Sequence, residues 1–321
     1  MPGALAHITL AGVLSDRIGG DGIAGLDPKV ALDKHFIELG AVSPDYPYLG
    51  SQTRWADRMH YNRTATIIRN GVIELRSWPE GEAWNRALAW LLGYASHVGA
   101  DFFIHPVVEL RVGLYDTHKV QHRDCEMHQD VFIWDRIKGH GVNDAVYLEG
   151  QFDQCTNAGG LHHDVKRLWD AMLQATHGDL YSSDPPNFNS WHNEYTMLIG
   201  FAASTPADAP KKSLCRDFFA EHALIYPTIG EVRDDYVVGL ETPLGPKSYG
   251  VIFDAAADYI AGWWRGIAAA MAAGDNDGAR DALRAARIID GNLDNGIVEG
   301  APDRSPYIAW EAIRDTNRLP V

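Results

Sequence analysis

The chain contains few cysteines, and none of them has a metal-binding or redox spacing. Among its 321 residues only Cys125, Cys155 and Cys215 are cysteines. Because they form no C-x-x-C motif, the sequence excludes a zinc-finger site and a thioredoxin-like redox site. An odd number of unpaired cysteines favours reduced, buried thiols in a reducing compartment.

Basic charge is also scarce. Lysine and arginine number 28 against 43 aspartates and glutamates, which gives a formal net charge of −15. A chain this acidic is a poor electrostatic match for a nucleic-acid backbone unless bound cations reverse the field locally. We therefore do not expect nucleic acid as a partner.

No signal peptide or membrane span is recognisable in the sequence. The N-terminal segment has no basic region, and His7 interrupts its apolar run. The longest apolar stretch, around residues 255–273, contains Asp258 and Arg265, so it predicts a buried core helix rather than a transmembrane helix. We expect a cytoplasmic protein, although a secreted mature form would show the same features.

Helical periodicity extends along most of the chain. The breaks between periodic segments are short and rich in turn-forming residues, unlike a flexible linker. We predict an all-α fold in one domain, residues 1–321, with metal-site helices in about the first 140 residues and packing helices in the rest. The predicted helices are residues 4–18, 28–39, 80–107, 116–137, 161–176, 190–202, 212–222, 250–273, 279–290 and 306–316.

Strand patterns are few. Residues 65–75, ATIIRNGVIEL, predict a short hairpin that turns at Asn70 and Gly71, because Asn-Gly is a strong two-residue turn signal. Residues 232–239 alternate more weakly between apolar and polar side chains. Both segments would be small additions to a helical protein.

Three polar residues share one face of the most apolar predicted helix. His97, Asp101 and His105 are spaced four residues apart, and a helix turns about 100° per residue, so their side chains point the same way. Their neighbours are mostly aliphatic and aromatic. Two imidazoles and a carboxylate buried in such surroundings need charge partners or a metal ion.

The next predicted helix repeats this spacing with His118, His122 and Glu126. Two such helices joined by a short turn can face each other and bring both stripes to a common site. A single His–acid pair at this spacing is usually a surface pair. Two stacked triplets favour a buried cage for zinc, which binds histidine nitrogen and carboxylate oxygen and in catalytic sites keeps a position for water.

Three upstream residues fit the same chemistry, although each also has an ordinary structural interpretation. His7 lies among apolar residues of the first helix, where a hydrogen-bonded core histidine is common. Asp45 follows a proline in a turn, where aspartate often caps the backbone. His60 follows some fifteen residues later. Taken alone, none of the three identifies a metal site.

In their order along the chain, these residues resemble the zinc-dependent phospholipase C family, whose fold is shared with single-strand-specific fungal nucleases. The pattern covers about residues 5–130. It consists of an early histidine, an aspartate in a Pro-Asp turn with a later histidine, H-x-x-x-D on a buried helix with a following histidine, and H-x-x-x-E. The residues that carry it are His7, Asp45, His60, His97, Asp101, His105, His122 and Glu126.

The resemblance implies that all eight residues are metal ligands. It places one zinc ion among Asp45, His60, His97 and Asp101. It makes Asp101 a bridge to a neighbouring ion that also uses His7, and it assigns a further ion to His105, His122 and Glu126. Asp45 would also act as the general base beside the attacking water.

The implied activity is phosphoric ester hydrolysis by a metal-dependent enzyme, with a small-molecule or lipid phosphoester as the substrate. Two zinc ions are expected. The family's N-terminal tryptophan, which binds one zinc through its amino group and carbonyl, has no counterpart here. A third ion would therefore need other ligands, such as Asp16 or a histidine of the second half.

Two alternatives to a phospholipase C-like enzyme stay open. One is a nuclease of the same fold, although the acidic composition and the missing tryptophan argue against it. The other is a zinc-cage protein with a biosynthetic or binding role and no hydrolysis.

Two polar clusters also have undecided roles. His162, His163 and Asp164 form either a pocket rim or an exposed helix start. Residues 191–195, which include His192 and Glu194, could line the substrate pocket or supply missing ligands.

Overall fold

The computed structural model describes residues 3–18, 23–139, 144–204 and 226–314. Helices dominate these residues. The only strands among them are the antiparallel pair Thr156–Asn157 and Gly160–Leu161. The predicted all-α fold is confirmed, whereas the single-domain organisation stays a prediction.

The first half contributes seven α-helices from the described residues. They are α1 (Ala4–Ser15), α2 (Lys29–Leu32), α3 (Lys34–Gly40), α4 (Thr53–Tyr61), α5 (Thr64–Leu75), α6 (Glu82–Val112) and α7 (Tyr115–Lys138). A 3-10 helix, Ser43–Leu49, lies between α3 and α4.

The described residues of the second half add eight more. They are α8 (Asp144–Phe152), α9 (His163–Thr176), α10 (Gly178–Ser183), α11 (Phe188–Ser204), α12 (Asp234–Val237), α13 (Tyr249–Ala272), α14 (Asn276–Ala285) and α15 (Ile308–Arg314). Two short 3-10 helices, Asp153–Cys155 and Ile229–Glu231, complete the helical elements.

Most predicted helices lie where the periodicity placed them, with ends that differ by a few residues. The helix predicted over residues 28–39 is divided into α2 and α3, because Asp33 has a non-helical backbone conformation. Cys125 and Cys155 are buried free thiols. Cys215 and the helix predicted over residues 212–222 lie outside the described residues.

The hairpin predicted over residues 65–75 is wrong, because this segment forms helix α5. Gly71 lies inside the helix, where a Cβ atom would stand 2.8 Å from Met172 Sδ and 3.0 Å from Leu91 Cδ1. Close packing against α6 and α9 therefore overrides the local turn preference of Asn-Gly. The weak strand pattern at residues 232–239 is also wrong: the aspartate-led segment Asp234–Val237 forms one helical turn.

Helix α6 is the centre of the fold. Every residue from 87 to 108 is buried, and α3, α5, α7, α9 and α13 all pack against or beside it. Of the described helices, α6 alone is long and apolar enough to cross a membrane, and its apolar window is entirely buried within the fold. Such burial is typical of a core helix.

Two glycines let α3 and α6 cross with their backbones in contact. A Cβ atom at Gly93 would lie 1.9 Å from Ile37 O, and one at Gly40 would lie 2.1 Å from Trp90 O. This close crossing brings the end of α3 against α6. The carbonyl of Ala41 then lies 2.9 Å from Nδ1 of His97, so the packing of the core also orients a predicted ligand.

We expect Gly93→Ala to lower the free energy of unfolding by about 1–3 kcal/mol, because the backbone of Ile37 leaves no room for a methyl group. The matched control is Gly262→Ala in α13, where a Cβ atom would meet nothing within 4 Å. That control should leave stability unchanged or raise it by up to about 1 kcal/mol. Urea unfolding measures both, and equal stabilities of the two variants would contradict the packing account.

Trp191, His192 and Tyr195 of the cluster at residues 191–195 are buried in the core, whereas Asn193 is exposed. The ring of Trp191 lies 5.4 Å from that of Trp169, and Tyr195 stacks on Tyr46 at 4.5 Å. His192 is fully buried, with Nε2 2.9 Å from the hydroxyl oxygen of Thr156. No side chain of this cluster joins a group of potential metal ligands among the described residues.

Burial lowers the pKa of His192 to about 4. Between pH 6.5 and 4 the unfolded chain therefore binds a proton that the folded chain does not, so the folded state loses stability as the pH falls through this interval. We expect His192→Gln to remove this contribution. Urea unfolding of the metal-free proteins at several pH values should show a smaller acid-induced loss for the variant, and identical losses would contradict the assignment.

Candidate metal centre

All eight residues predicted as ligands converge in the interior of the fold. Helix α1 supplies His7, the 3-10 helix Ser43–Leu49 supplies Asp45 and α4 supplies His60. Helix α6 supplies His97, Asp101 and His105, and α7 supplies His122 and Glu126. Seven of them are buried, while the side chain of Asp45 is 17% exposed. Asp45 is thus the most exposed of the eight residues.

Asp45, His60 and His97 form one end of the cage. His60 Nε2 lies 3.2 Å from Asp45 Oδ1 and 3.1 Å from His97 Nε2, and His97 Nε2 lies 3.8 Å from Asp45 Oδ1. Tetrahedral ligands of one zinc ion stand about 3.3 Å apart, given bonds of about 2.0–2.1 Å. The three atoms therefore have the separation of ligands that face one metal position.

Asp101 lies between the two ends of the cage. Its Oδ2 is 3.2 Å from His97 Nε2, whereas its Oδ1 is 3.1 Å from His7 Nε2 and 3.7 Å from His105 Nε2. The two carboxylate oxygens therefore face different imidazoles. This is the geometry that a bridging carboxylate requires.

His105, His122 and Glu126 form the other end. Glu126 Oε1 lies 3.1 Å from His122 Nε2 and 3.5 Å from His105 Nε2. The two imidazole rings are nearly perpendicular, with centroids 5.3 Å apart. Because α6 and α7 pack against each other here, the short turn between them is enough to bring His105 of α6 close to His122 and Glu126 of α7.

Two residues considered as ligands lie outside the cage. His118 has non-helical backbone angles at a kink in α7, so its spacing from His122 no longer places it on the same face. Its Nδ1 instead lies 2.8 Å from the Thr117 hydroxyl. Asp16 is exposed and pairs with Lys34 at 2.9 Å. Neither side chain is available to the metal centre.

The described histidines of the second half are also absent from the cage. His162 caps the start of α9 and accepts a hydrogen bond from the backbone N–H of Asp164. Asp164 also pairs with Arg86 at 3.3 Å, and the side chain of His163 is 66% exposed. These residues form a separate group at a helix start.

Backbone carbonyl groups fix the orientation of three imidazoles in the cage. The Nδ1 atoms of His60, His97 and His105 lie 2.7, 2.9 and 2.7 Å from the carbonyl oxygens of Ala56, Ala41 and Leu293. Because a carbonyl oxygen can only accept, each Nδ1 carries the proton. In the neutral tautomer each Nε2 then presents its lone pair to the centre, and hydrogen bonds of this kind orient ligating histidines in metal sites.

Several polar atoms that face the centre have no hydrogen bond of acceptable geometry within the described part of the chain. They are Nε2 of His7, His105 and His122, both side-chain oxygens of Asp101, and Asp45 Oδ1. Leaving a buried polar atom unsatisfied costs about 1–3 kcal/mol. A cation among these atoms would satisfy them together, and their nitrogen and carboxylate chemistry fits zinc.

The electrostatics of the cage keep its carboxylates ionised. Burial alone would raise the pKa of Asp101, but the imidazoles of His97, His105 and His7 outweigh it and hold that pKa well below its usual range. The pKa of Asp45 is lowered in the same way, against burial, by His97 and His60. Burial lowers the pKa of His105 and so favours its neutral form. These are the protonation states that metal ligation requires.

Tyrosines border the cage, which the sequence did not indicate. The ring of Tyr48 lies 5.3 Å from that of His60, and Tyr115 meets His122 edge-on at 5.1 Å. Tyr61 lies 6.2 Å from the adjacent His60. Burial raises the pKa of Tyr115 to about 12, so its hydroxyl stays protonated at neutral pH. Proximity in sequence to Asp45 and His60 could have pointed to the first and third of these tyrosines.

Comparison with known protein families gives one match. A sequence model described as zinc dependent phospholipase C matches residues 6–179, which is more than half of the 321 residues. The match begins in α1 and ends in α10, so it contains all eight residues of the cage. Neither the curated proteins nor the solved structures gave a match.

We expect Asp101→Asn to lose more bound zinc than any other single change in the cage, because its two oxygens face both ends. Glu126→Gln should weaken the His105 end alone. Elemental analysis by mass spectrometry after dialysis measures zinc per chain. The control is Asp281→Asn, an exposed position that pairs with Arg284. Zinc in Asp101→Asn equal to that in the control would contradict the bridging role.

Proposed function

Because the chain belongs to the zinc-dependent phospholipase C family, we propose that its metal centre hydrolyses a phosphoester by attack of an activated water. The family is one of zinc hydrolases. We infer that this particular chain hydrolyses phosphoesters and that it prefers a phosphodiester. The observation that carries this proposal is the convergence of eight imidazole and carboxylate side chains in one buried cluster, in which Asp45 is partly exposed.

We propose two zinc ions. One would be held by Asp45, His60, His97 and Asp101, and the other by His105, His122 and Glu126. His7 adds one nitrogen beside Asp101 Oδ1, and its group shares His97 with the first end. A third ion at His7 would therefore need donors beyond those that the described residues offer.

Zinc bound here would supply Lewis acidity and lower the pKa of a coordinated water toward neutrality. Asp45 would receive the proton of that water. Its carboxylate is ionised, its Oδ1 has no hydrogen bond within the described residues, and its side chain is 17% exposed. Tyr48 and Tyr115 are neutral donors next to the cage, so they can orient phosphoryl oxygens as charge develops on them.

The family supports a lipid phosphoester as the substrate. Leu49 follows Tyr48 and is 40% exposed, and Leu114 precedes Tyr115 and is 66% exposed. Exposed apolar side chains next in sequence to tyrosines that border the cage suit a substrate presented from an apolar phase. The net charge of −15 disfavours a nucleic-acid substrate. The cytoplasmic location predicted from the sequence stays a prediction.

We expect Asp45→Asn, reloaded with zinc, to lower kcat/KM for a choline phospholipid by about 100-fold or more, because general-base catalysis contributes at least that much. Zinc must be measured in the same samples, since Asp45 is also a proposed ligand. Asp281→Asn serves again as the control.

Three outcomes would contradict the proposal in different ways. Undiminished hydrolysis by zinc-loaded Asp45→Asn would exclude Asp45 as the base. Faster cleavage of single-stranded DNA than of phospholipid would identify a nuclease. Full zinc occupancy without hydrolysis of any phosphoester would identify a zinc-cage protein with another role.

A further inference from the structure

A loop from the second half of the chain touches two of the proposed ligands. It comprises residues 290–299, between α14 and α15, and we call it the closing loop. It lies beyond residue 179, where the match to the family ends. We propose that the closing loop is a positioning element of the metal centre that anchors the backbone of His60 and holds the ring of His105 in its ligating orientation. This inference rests on the proposed zinc site.

Leu293 makes both contacts through its backbone. Its N–H donates to the carbonyl oxygen of His60 over 2.9 Å, and its own carbonyl accepts from Nδ1 of His105 over 2.7 Å. Leu293 is fully buried, so water does not compete for these bonds. One residue therefore links a ligand of α4 to a ligand of α6.

The contact with His105 depends on the closing loop in a way that the other imidazole contacts do not. His60 donates to a carbonyl four residues away in its own helix, and His97 donates to the end of α3, which the glycine crossing fixes. His105 donates to a residue 188 positions away in sequence. Without the closing loop, the ring of His105 would lose the bond that sets its tautomer and its direction.

Asp294 adds a charge at the same point. Its Oδ1 lies 3.9 Å from Nδ1 of His105, and its side chain is only 11% exposed. Burial and the nearby Asp294 carboxylate raise the pKa of Tyr61, the residue that follows His60. A carboxylate beside the protonated nitrogen of a ligating histidine increases the basicity of the other nitrogen. The loop thus contributes both a backbone acceptor and a charge.

The closing loop is rigid enough to act in this way. Asn292 donates to Ile297 O and accepts from Gly296 N, each over 2.9 Å. Gly291 packs so tightly on α6 that a Cβ atom would lie 2.3 Å from Phe102 Cε2. Gly296 has a φ of +70°, which few other residues adopt readily. These contacts fix the position of Leu293 between them.

The loop is also anchored beside α4. The carboxylate of Asp290 accepts from Thr66 N at 2.6 Å, from the Thr66 hydroxyl at 2.8 Å and from Arg69 Nη2 at 2.6 Å. Glu299 accepts from Arg63 N at 2.7 Å. All three partners belong to α5 or the residue before it, which follows directly after the helix of His60. Both ends of the loop are therefore tied to the same place.

The test is Asp290→Asn. Asp290 touches no proposed ligand, and the substitution replaces a carboxylate that accepts three hydrogen bonds with a neutral amide. The matched control is Asp275→Asn, because Asp275 also accepts a backbone N–H, at the start of α14. Glu299→Gln is a milder second variant at the other end of the loop. Zinc affinity by chelator competition and the visible spectrum of the cobalt(II)-loaded proteins provide the readouts, and circular dichroism verifies folding.

We expect Asp290→Asn to weaken zinc binding about 10–100-fold, as loss of an outer-shell support does, and to alter the cobalt spectrum. Glu299→Gln should show a smaller effect of the same kind, and Asp275→Asn none. If both loop variants match the control in zinc affinity and in cobalt spectrum, this inference alone is overturned. Zinc binding without phosphoester hydrolysis would overturn only the proposed function, and no zinc binding by the unaltered protein would overturn both.

Discussion

The structure depends on a carboxylate buried among imidazoles. Asp101 lies at the middle of α6, is fully buried, and presents its two oxygens to histidines on either side without hydrogen bonds from the described residues. Its pKa is held well below the usual range despite burial. An ionised carboxylate in such a place needs positive charge nearby. A metal ion among these side chains would supply it.

The rest of the fold can be understood as the support of that arrangement. The glycine crossing of α3 and α6 places Ala41 O behind His97. At the start of α1, the carboxylate of Asp130 accepts the N–H groups of Leu5 and Ala6, which fixes the helix that carries His7. The closing loop supports His105 from the opposite side. Each support comes from a different part of the chain, so the centre can form only when the whole fold is assembled.

Sequence reasoning succeeded where side-chain chemistry repeats at a regular interval. The four-residue spacing on α6 and α7 and the order of the upstream residues pointed to eight residues that lie together in the structure, and their role as metal ligands stays a prediction. Sequence reasoning failed where backbone conformation and packing determine the local structure. His118 has the right spacing but lies at a kink, and Asn70–Gly71 has turn chemistry but is held in a helix by its neighbours. Leu293 makes its contacts through its backbone N–H and carbonyl groups. These groups do not depend on the type of side chain, so no sequence pattern could have indicated Leu293.

Anomalous diffraction at the zinc absorption edge tests the central claim most directly. The account predicts zinc peaks on both sides of Asp101, one about 2.0–2.2 Å from ligand atoms of the Asp45 end and one at the same distance from those of the His105 end. Full-length protein crystallised with zinc that shows no anomalous peak within the cage would contradict it.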